Sequence, residues 1–315
     1  MAGCCEATAG TISPRAMSGW MPCAGPPVPA SASSTGTPAC SSRERRNASS
    51  PPLVSRVPIS RTATGPALYL PASLRTALIT GAGTGIGAST ALALAAEGTR
   101  VALAGRRREP LEEIAAQLED AVVIAGDITT GAARIVQEAV DALGTLHVVV
   151  NNAGVIKRNQ RVHEIDDATW DEQLAINLTG HFRILRAALP HLLAADGDRS
   201  VVNVGSTLAH KVVAGHGAYV AAKGAIVALT KQLAVDYGPD GIRANCVMPA
   251  VVRTPLAHTD RPDFEERQAV MAQAYPMRRL GESEDVAAAI AWLASERAGW
   301  ITGTIVDVDG GFSVT

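Results

Sequence analysis

Aromatic side chains make up only 3% of this 315-residue chain, so a packed core would have to be built from Ala, Val, Leu and Ile. Cysteine offers no framework: Cys4, Cys5, Cys23 and Cys40 lie in the first forty residues, and only Cys246 lies beyond them. No disulfide set can span the body of such a chain, and a reducing cytoplasm is the expected setting. The seven histidines form neither an HExxH motif nor a Cys/His cluster, so no metal site is expected. An excess of charge is missing as well, since 28 Lys and Arg against 30 Asp and Glu leave a net charge of −2. That balance offers no footprint for nucleic acid or an anionic membrane, and small-molecule chemistry becomes the leading expectation.

What is present divides into two parts. Residues 1–71 are rich in Ser, Pro, Ala, Gly and Thr, as in "GPPVPASASSTGTPACSSRERRNASSPPL", with no sustained apolar period. Such a segment cannot bury enough surface to offset chain entropy and is expected to be a disordered tail. Its excess of Arg over acid and its many Ser residues also fit an organellar transit peptide, although its prolines interrupt any Arg-bearing amphipathic helix. A translation start assigned too far upstream would explain the segment equally well. No apolar run in it is long enough for a membrane span.

From Arg75 the pattern changes. "TALIT", "RVALAG", "AVVIAG", "LHVVVN", "SVVNV", "IRANCVM" and "TIVDVD" read as seven strands. Helical stretches lie between them at Ile86 to Glu97, Leu111 to Leu118, Ala132 to Leu143, Trp170 to Leu193, Tyr219 to Tyr237 and Asp285 to Ala294. This alternation predicts a single α/β domain over residues 72–315. Its sheet should be parallel and seven-stranded, doubly wound in the Rossmann manner with helices on both faces and ligands at the carboxyl ends of the strands.

Two motifs carry chemistry. The first strand runs into "TGAGTGIG", Thr80 to Gly87, and then into a helix. Glycines there permit a tight turn and a close backbone approach, and the helix N-terminus offers unpaired N–H groups to a pyrophosphate. The register is G-x-x-x-G-x-G through Gly81, Gly85 and Gly87. The second motif is "AYVAAK", which puts Tyr219 one turn before Lys223 on the same helix face. A neighbouring ammonium favours phenolate, which would suit a general acid/base.

Further fragments fall where a doubly wound sheet delivers residues to its cleft: Asp127, "NNAG" from Asn151 to Gly154, Asn177 in "AINLTG", Ser206, and "PAVVRT" from Pro249 to Thr254. With "VDGGF" near the end, this set resembles the short-chain dehydrogenase/reductase family over essentially all of residues 75–315. The resemblance implies a catalytic set of Asn177, Ser206, Tyr219 and Lys223. Tyr219 would exchange the proton, Lys223 would lower its pKa and bond the nicotinamide ribose, Ser206 would hold the substrate oxygen, and Asn177 would hold a relay water. It also implies that Gly81, Thr84, Gly85, Ile86, Gly87, Arg106, Asp127, Ile128, Asn152, Ala153, Gly154, Pro249, Val252 and Thr254 hold the cofactor, together with Tyr219 and Lys223. The sequence departs from the family in two places: Ala250 follows Pro249 where glycine is usual, and Gly205 precedes Ser206 where a second serine is common.

At the end of the second strand the chain reads "ALAGRRRE", with Arg106 in place of an acid that would bond a ribose 2′-hydroxyl. NADP is therefore expected over NAD. The lid should lie between Thr254 and Met277, with His258, Arg261, Arg267 and Tyr275 available and His210 and His216 nearby, a set suited to a hydroxylated or anionic substrate. The family resemblance further implies a homodimer or homotetramer, built through the helices around Trp170 to Leu193 and Tyr219 to Tyr237. The alternatives are a non-catalytic cofactor-binding regulator on the same fold, an epimerase or dehydratase sharing the Tyr/Lys pair, and an NAD-preferring sugar or polyol dehydrogenase.

Overall fold

The computed structural model describes residues 75–259 and 263–315. The tail read at residues 1–71 and the lid residue Arg261 lie outside the described residues. Seven strands form one parallel sheet in the order β3-β2-β1-β4-β5-β6-β7. They are β1 Thr76–Thr80, β2 Arg100–Gly105, β3 Ala121–Ala125, β4 Val148–Asn151, β5 Arg199–Val204, β6 Ile242–Pro249 and β7 Ile305–Val308. The strand order reverses between β1 and β4, and a crevice opens at such a switch point beyond the carboxyl ends of the strands.

Alternation along each strand divides the core into two layers. Ala77 and Ile79 of β1 pack with α1 (Gly85–Ala96), α2 (Arg108–Ala115) and α9 (Ser283–Ala294). Leu78 packs on the opposite face with α3 (Ala132–Leu143) and α5 (His181–Ala194). Both layers are built almost wholly from Ala, Val, Leu and Ile, as the shortage of aromatics requires. α6 (Gly217–Tyr237) is long and apolar enough to cross a membrane by length and hydropathy alone. It lies instead against β6, where Ile226 packs on Cys246 and Met248.

The stretch read as one helix from Trp170 to Leu193 is three segments. α4 (Asp167–Leu174) widens into a π-helical turn at Ala175–Gly180 before α5 begins. Periodicity near 3.6 does not reveal such a widening, and here a side chain sustains it. Asn177 Nδ2 donates to the Gln173 carbonyl at 3.0 Å and to the Val155 carbonyl at 2.9 Å.

Candidate active site

The glycine turn fits between two strand ends. Gly81 (φ +67°) and Gly85 (φ +54°) adopt a backbone conformation that side chains disfavour. A Cβ at Gly87 would lie 2.2 Å from the Gly81 carbonyl oxygen, so only glycine lets α1 start against the loop. Thr80 Oγ1 accepts the backbone N–H of Asn152 at 3.0 Å and of Ala153 at 3.1 Å. Asn152 Nδ2 donates in return to the carbonyls of Thr80 and Gly81, at 3.0 and 3.2 Å. The asparagine of NNAG thus ties the glycine turn to the end of β4.

Above this turn lies a cleft of about 210 Å³. Gly81, Thr84, Gly85 and Ile86 form its floor, and Arg106, Asp127, Ile128 and the segment from Asn152 to Gly154 form its walls. No side chain caps α1 at Thr84, so the first N–H groups of that helix face the cleft unclaimed by a cap. Thr254 closes the other side, with its Cγ2 2.8 Å from where a Cβ on Gly85 would stand. Asp127 receives both the N–H and the hydroxyl of Thr129 at 2.7 Å. Burial alone would raise its pKa, but these bonds and the charge of Arg106 hold the carboxyl below its ordinary value. Of the three arginines after β2, Arg106 and Arg107 line the cleft. Arg108 turns away to pair with Glu112 on its own helix. A glycine-lined cradle, an uncapped helix start and two guanidinium groups fit a phosphorylated dinucleotide.

A second chamber, of about 270 Å³, continues from the cleft. Ser206, Tyr219 and Lys223 share its wall with Pro249, Val252 and Thr254. Tyr219 is 7% and Lys223 3% exposed. Burial raises the phenol pKa, against a hydrogen bond with Ser206 and the charge of Arg158, which both lower it. Lys223 Nζ donates to the Val204 carbonyl at 2.7 Å and stands 5.8 Å from the centroid of the Tyr219 ring. Burial brings its pKa down to about 8. The one-turn spacing therefore does bring the pair together, but burial, rather than the ammonium, dominates the phenol. At neutral pH Tyr219 holds its proton.

Asn177 is fully buried beside this pair, and its Oδ1 accepts the Val155 N–H at 3.1 Å. With its amide donating to Val155 and Gln173, the side chain is committed to bracing the chain after β4. Its amide hydrogens are committed, so a relay water held by that side chain would have to donate to the second lone pair of Oδ1. Gly154 sits between, its hypothetical Cβ 3.0 Å from Asn177 Oδ1 and 3.9 Å from Lys223 Nζ.

The structure adds a residue that sequence reasoning passed over. His181, four positions after Asn177, is fully buried, and its Nε2–H donates to the Ala153 carbonyl at 2.6 Å. Burial first, and the charge of Lys223 second, lower its pKa from 6.5 to about 3. The unfolded chain then binds more protons than the folded one between those values, so stability falls as pH drops below about 6.5. From pH 8 to pH 5 this one group should remove about 2 kcal/mol of unfolding free energy. In urea unfolding, the gap between wild type and His181→Asn should narrow by that amount, and a gap independent of pH would contradict the assignment.

Both departures from the family pattern are accommodated. Among the described residues only Asn159 and Arg278 have positive φ outside glycine, so Ala250 sits without strain. A Cβ on Gly205 would lie 2.3 Å from Met248 Sδ and 2.9 Å from Cys246 Sγ, so a serine there would require those two side chains to shift. The lid expectation holds in part. Tyr275 and His216 line the chamber, with Tyr275 stacked on Phe312 at 5.1 Å. His258 packs on Phe264 and faces Glu265 at 3.4 Å, Arg267 pairs with Asp263, and His210 faces Asp307 at 3.4 Å. None of these three lines the chamber. Arg158, in the loop after β4, does so and carries no motif that would have marked it. Among the described residues no three His, Cys, Asp or Glu groups converge as a metal site would require.

A sequence family described as enoyl-(acyl carrier protein) reductase matches residues 81–313. The cis-4-hydroxycyclohexanecarboxylate dehydrogenase of Sinomonas cyclohexanicum is 38% identical over 245 residues, 76% of this chain and 96% of that protein. The cyclohexanol dehydrogenase of Acinetobacter sp. strain SE19 is 34% identical over 76% of this chain and 95% of its own length. A crystal structure of 3-ketoacyl-(acyl-carrier-protein) reductase from Brucella melitensis, complexed with NADH, superposes with a TM-score of 0.71. It is 32% identical, and the match covers 76% of this chain and 98% of that one. With the 3-2-1-4-5-6-7 sheet, the glycine cleft and these relatives, the chain belongs to the short-chain dehydrogenase/reductase family of nicotinamide-dependent oxidoreductases acting on CH–OH groups.

Proposed function

We propose that this protein interconverts a compact ketone and its secondary alcohol with NADP(H), using Tyr219 as the general acid/base. The observation that carries the reading is the convergence of Tyr219, Ser206 and Lys223 on a chamber continuous with the glycine cleft. The bound nicotinamide supplies or accepts the hydride. In the reducing direction the Tyr219 hydroxyl gives its proton to the substrate oxygen while Ser206 holds that oxygen in line. Lys223, kept in place by the Val204 carbonyl, puts a positive charge one turn from the phenolate that results. Asn177 and His181 support this from behind by fixing Val155 and Ala153. Arg106 and Arg107 would meet the 2′-phosphate that distinguishes NADP.

A small ring substrate suits the chamber. At about 270 Å³ it lies below the roughly 300–1,000 Å³ of drug-sized sites, and the nicotinamide must share it. The two relatives named for cyclohexane-ring alcohols point the same way. A panel of cyclic ketones, sugars and acyl thioesters, followed by nicotinamide absorbance with each cofactor, is the direct test. Turnover should concentrate on the cyclic ketones with NADPH; no oxidation of either cofactor by any carbonyl would sink the reading and favour a non-catalytic regulator.

Phe182 and Leu193 on α5 and Val235 on α6 are exposed apolar residues, and we propose that these helices pair in a homodimer or homotetramer. The cysteine distribution supports a cytoplasmic setting. Residues 1–71 contribute nothing to this account, since 76% of the chain already spans 96% of the Sinomonas relative. Deleting them should leave the melting temperature and the specific activity unchanged, and a fall of many degrees would show that they pack on the domain.

A further inference from the structure

We infer that Lys211 is a positioning residue that, acting through Phe312, sets the size of substrate the chamber takes. The inference rests on the ketone and alcohol reading for the reaction, while the tie itself stands on the contacts between two segments. Lys211 follows Ser206 on the loop that leaves β5, and its backbone N–H donates to the Thr207 carbonyl at 2.8 Å. It is outside the described lining of the chamber. Ser206, Thr207 and Leu208 of the same loop belong to that lining, and so does Phe312 from the segment after β7. A side chain set back from the substrate space can shape it only through one that borders it.

The Lys211 ammonium is spent on one short stretch of chain. Its Nζ donates to the carbonyls of Phe312 and Thr315, and to Thr315 Oγ1 at 3.0 Å. The same charge stands 4.4 Å from the centroid of the Phe312 ring, within reach of a cation–π contact. Beside it, His210 faces Asp307 at 3.4 Å, and Asp307 accepts the Ser313 hydroxyl at 3.2 Å. The loop that carries Ser206 is thus fastened to residues 307–315 at two adjacent positions. From Phe312 the connection continues into the lid. Its ring stacks on Tyr275 at 5.1 Å, and both pack with Ala257 of the short helix α7 (Pro255–His258) and Phe264 of α8 (Phe264–Ala272). Tyr275 Oη accepts the Val251 N–H at 3.2 Å, next to Val252 of the chamber wall. Phe312 is only partly buried and belongs to a single short helical turn, so its own packing holds it weakly. Lys211 supplies the tie that keeps the ring against Tyr275 and the chamber narrow.

The test compares the full-length protein with Lys211→Met, which keeps a long side chain but removes its donors and charge, and with Lys211→Arg, which keeps both. Reduction of cyclohexanone and of the bulkier ring ketone cyclododecanone is followed with NADH and NADPH both present. Wild type should prefer cyclohexanone. Lys211→Met should lower that ratio of kcat/KM about tenfold, the worth of one charge-assisted hydrogen bond, chiefly through a higher KM for cyclohexanone. Lys211→Arg should retain most of the preference. Hydrogen exchange at the amides of Met277, Gly311, Phe312 and Ser313, all bonded within or onto this segment, should quicken about tenfold in Lys211→Met and stay unchanged in the glycine turn. If Lys211 only stabilises the fold, the melting temperature falls and both ketones lose activity alike, which rejects the inference. A wild type that takes both ketones equally, an unchanged ratio in Lys211→Met, or unchanged exchange at those amides would reject it too. Should wild type reduce neither ketone, the ratio is read from calorimetric binding of the two ketones in the presence of both cofactors. A ratio lowered tenfold there keeps the role of Lys211 and removes the oxidoreductase reading of this chamber, whereas an unchanged ratio or no binding of either ketone removes the role as well.

Discussion

Tyr219→Phe should lower kcat by about 10²–10⁴-fold on any substrate the wild type turns over, with little change in cofactor affinity. The substitution keeps the ring, which is 7% exposed and packed in the chamber wall, and removes only the hydroxyl. That hydroxyl is protonated at neutral pH because burial raises its pKa, so the wild type has a proton to give and the variant has none. A structural role alone predicts the opposite pattern: loss of stability with turnover largely preserved. Calorimetric melting measured beside the kinetics separates the two. Lys223→Met provides the contrast, because it removes a charge beside the phenol and breaks the bond to the Val204 carbonyl. Both rate and cofactor binding should then suffer. Near-normal turnover by Tyr219→Phe would withdraw the mechanism.

Most of the scaffold was legible because its signals are local and repetitive. The seven apolar runs become the seven strands with shifts of at most two residues at their ends, as "LHVVVN" shortening to Val148–Asn151 illustrates. Interior composition followed from scarcity: with so few aromatics, small residues such as Ala91, Ala102 and Ala188 take fully buried core positions. The π-turn at Ala175–Gly180 was not legible, because it depends on Asn177 reaching Val155 across 22 residues of sequence. The expectations for His258 and His210 failed for a related reason. His258 and His210 have acidic partners whose nearness only the fold creates, so a count of polar residues in the segment overstated what faces the substrate. Arg158 was invisible in the opposite sense, since a lone arginine in a loop has no spacing to signal that it lines the chamber. His181 could have been found. It stands four residues after Asn177 in a helical stretch, which predicts a shared face.

Cofactor choice is where a single side chain should have a large and reversible effect. Arg106→Asp is expected to move the ratio of kcat/KM for NADP over NAD by one to two orders of magnitude towards NAD. Arg106 lies immediately after β2, at the same end of the cleft as Asp127, whose carboxyl its charge stabilises. With NADP the guanidinium would form charge-assisted hydrogen bonds to the 2′-phosphate that have no counterpart with NAD. Each such bond contributes about 1.5–3 kcal/mol, and about 1.4 kcal/mol is a factor of ten. Arg106 is exposed, so screening keeps the gain towards the lower end of that range. Replacement by aspartate does more than delete these bonds. It sets a second carboxylate beside Asp127 and against the phosphate, while giving the free 2′-hydroxyl of NAD an acceptor. Arg107 lines the same cleft and can compensate in part, so the double replacement of Arg106 and Arg107 should go further. Arg108, paired with Glu112 outside the cleft, should leave the ratio untouched when replaced by alanine and serves as the internal control. The measurement is kcat/KM for both cofactors at fixed ionic strength, because added salt weakens the exposed charge contacts and would imitate the mutation. A wild type that already prefers NAD, or an Arg106→Asp variant with an unchanged ratio, would show that the 2′ position is read elsewhere.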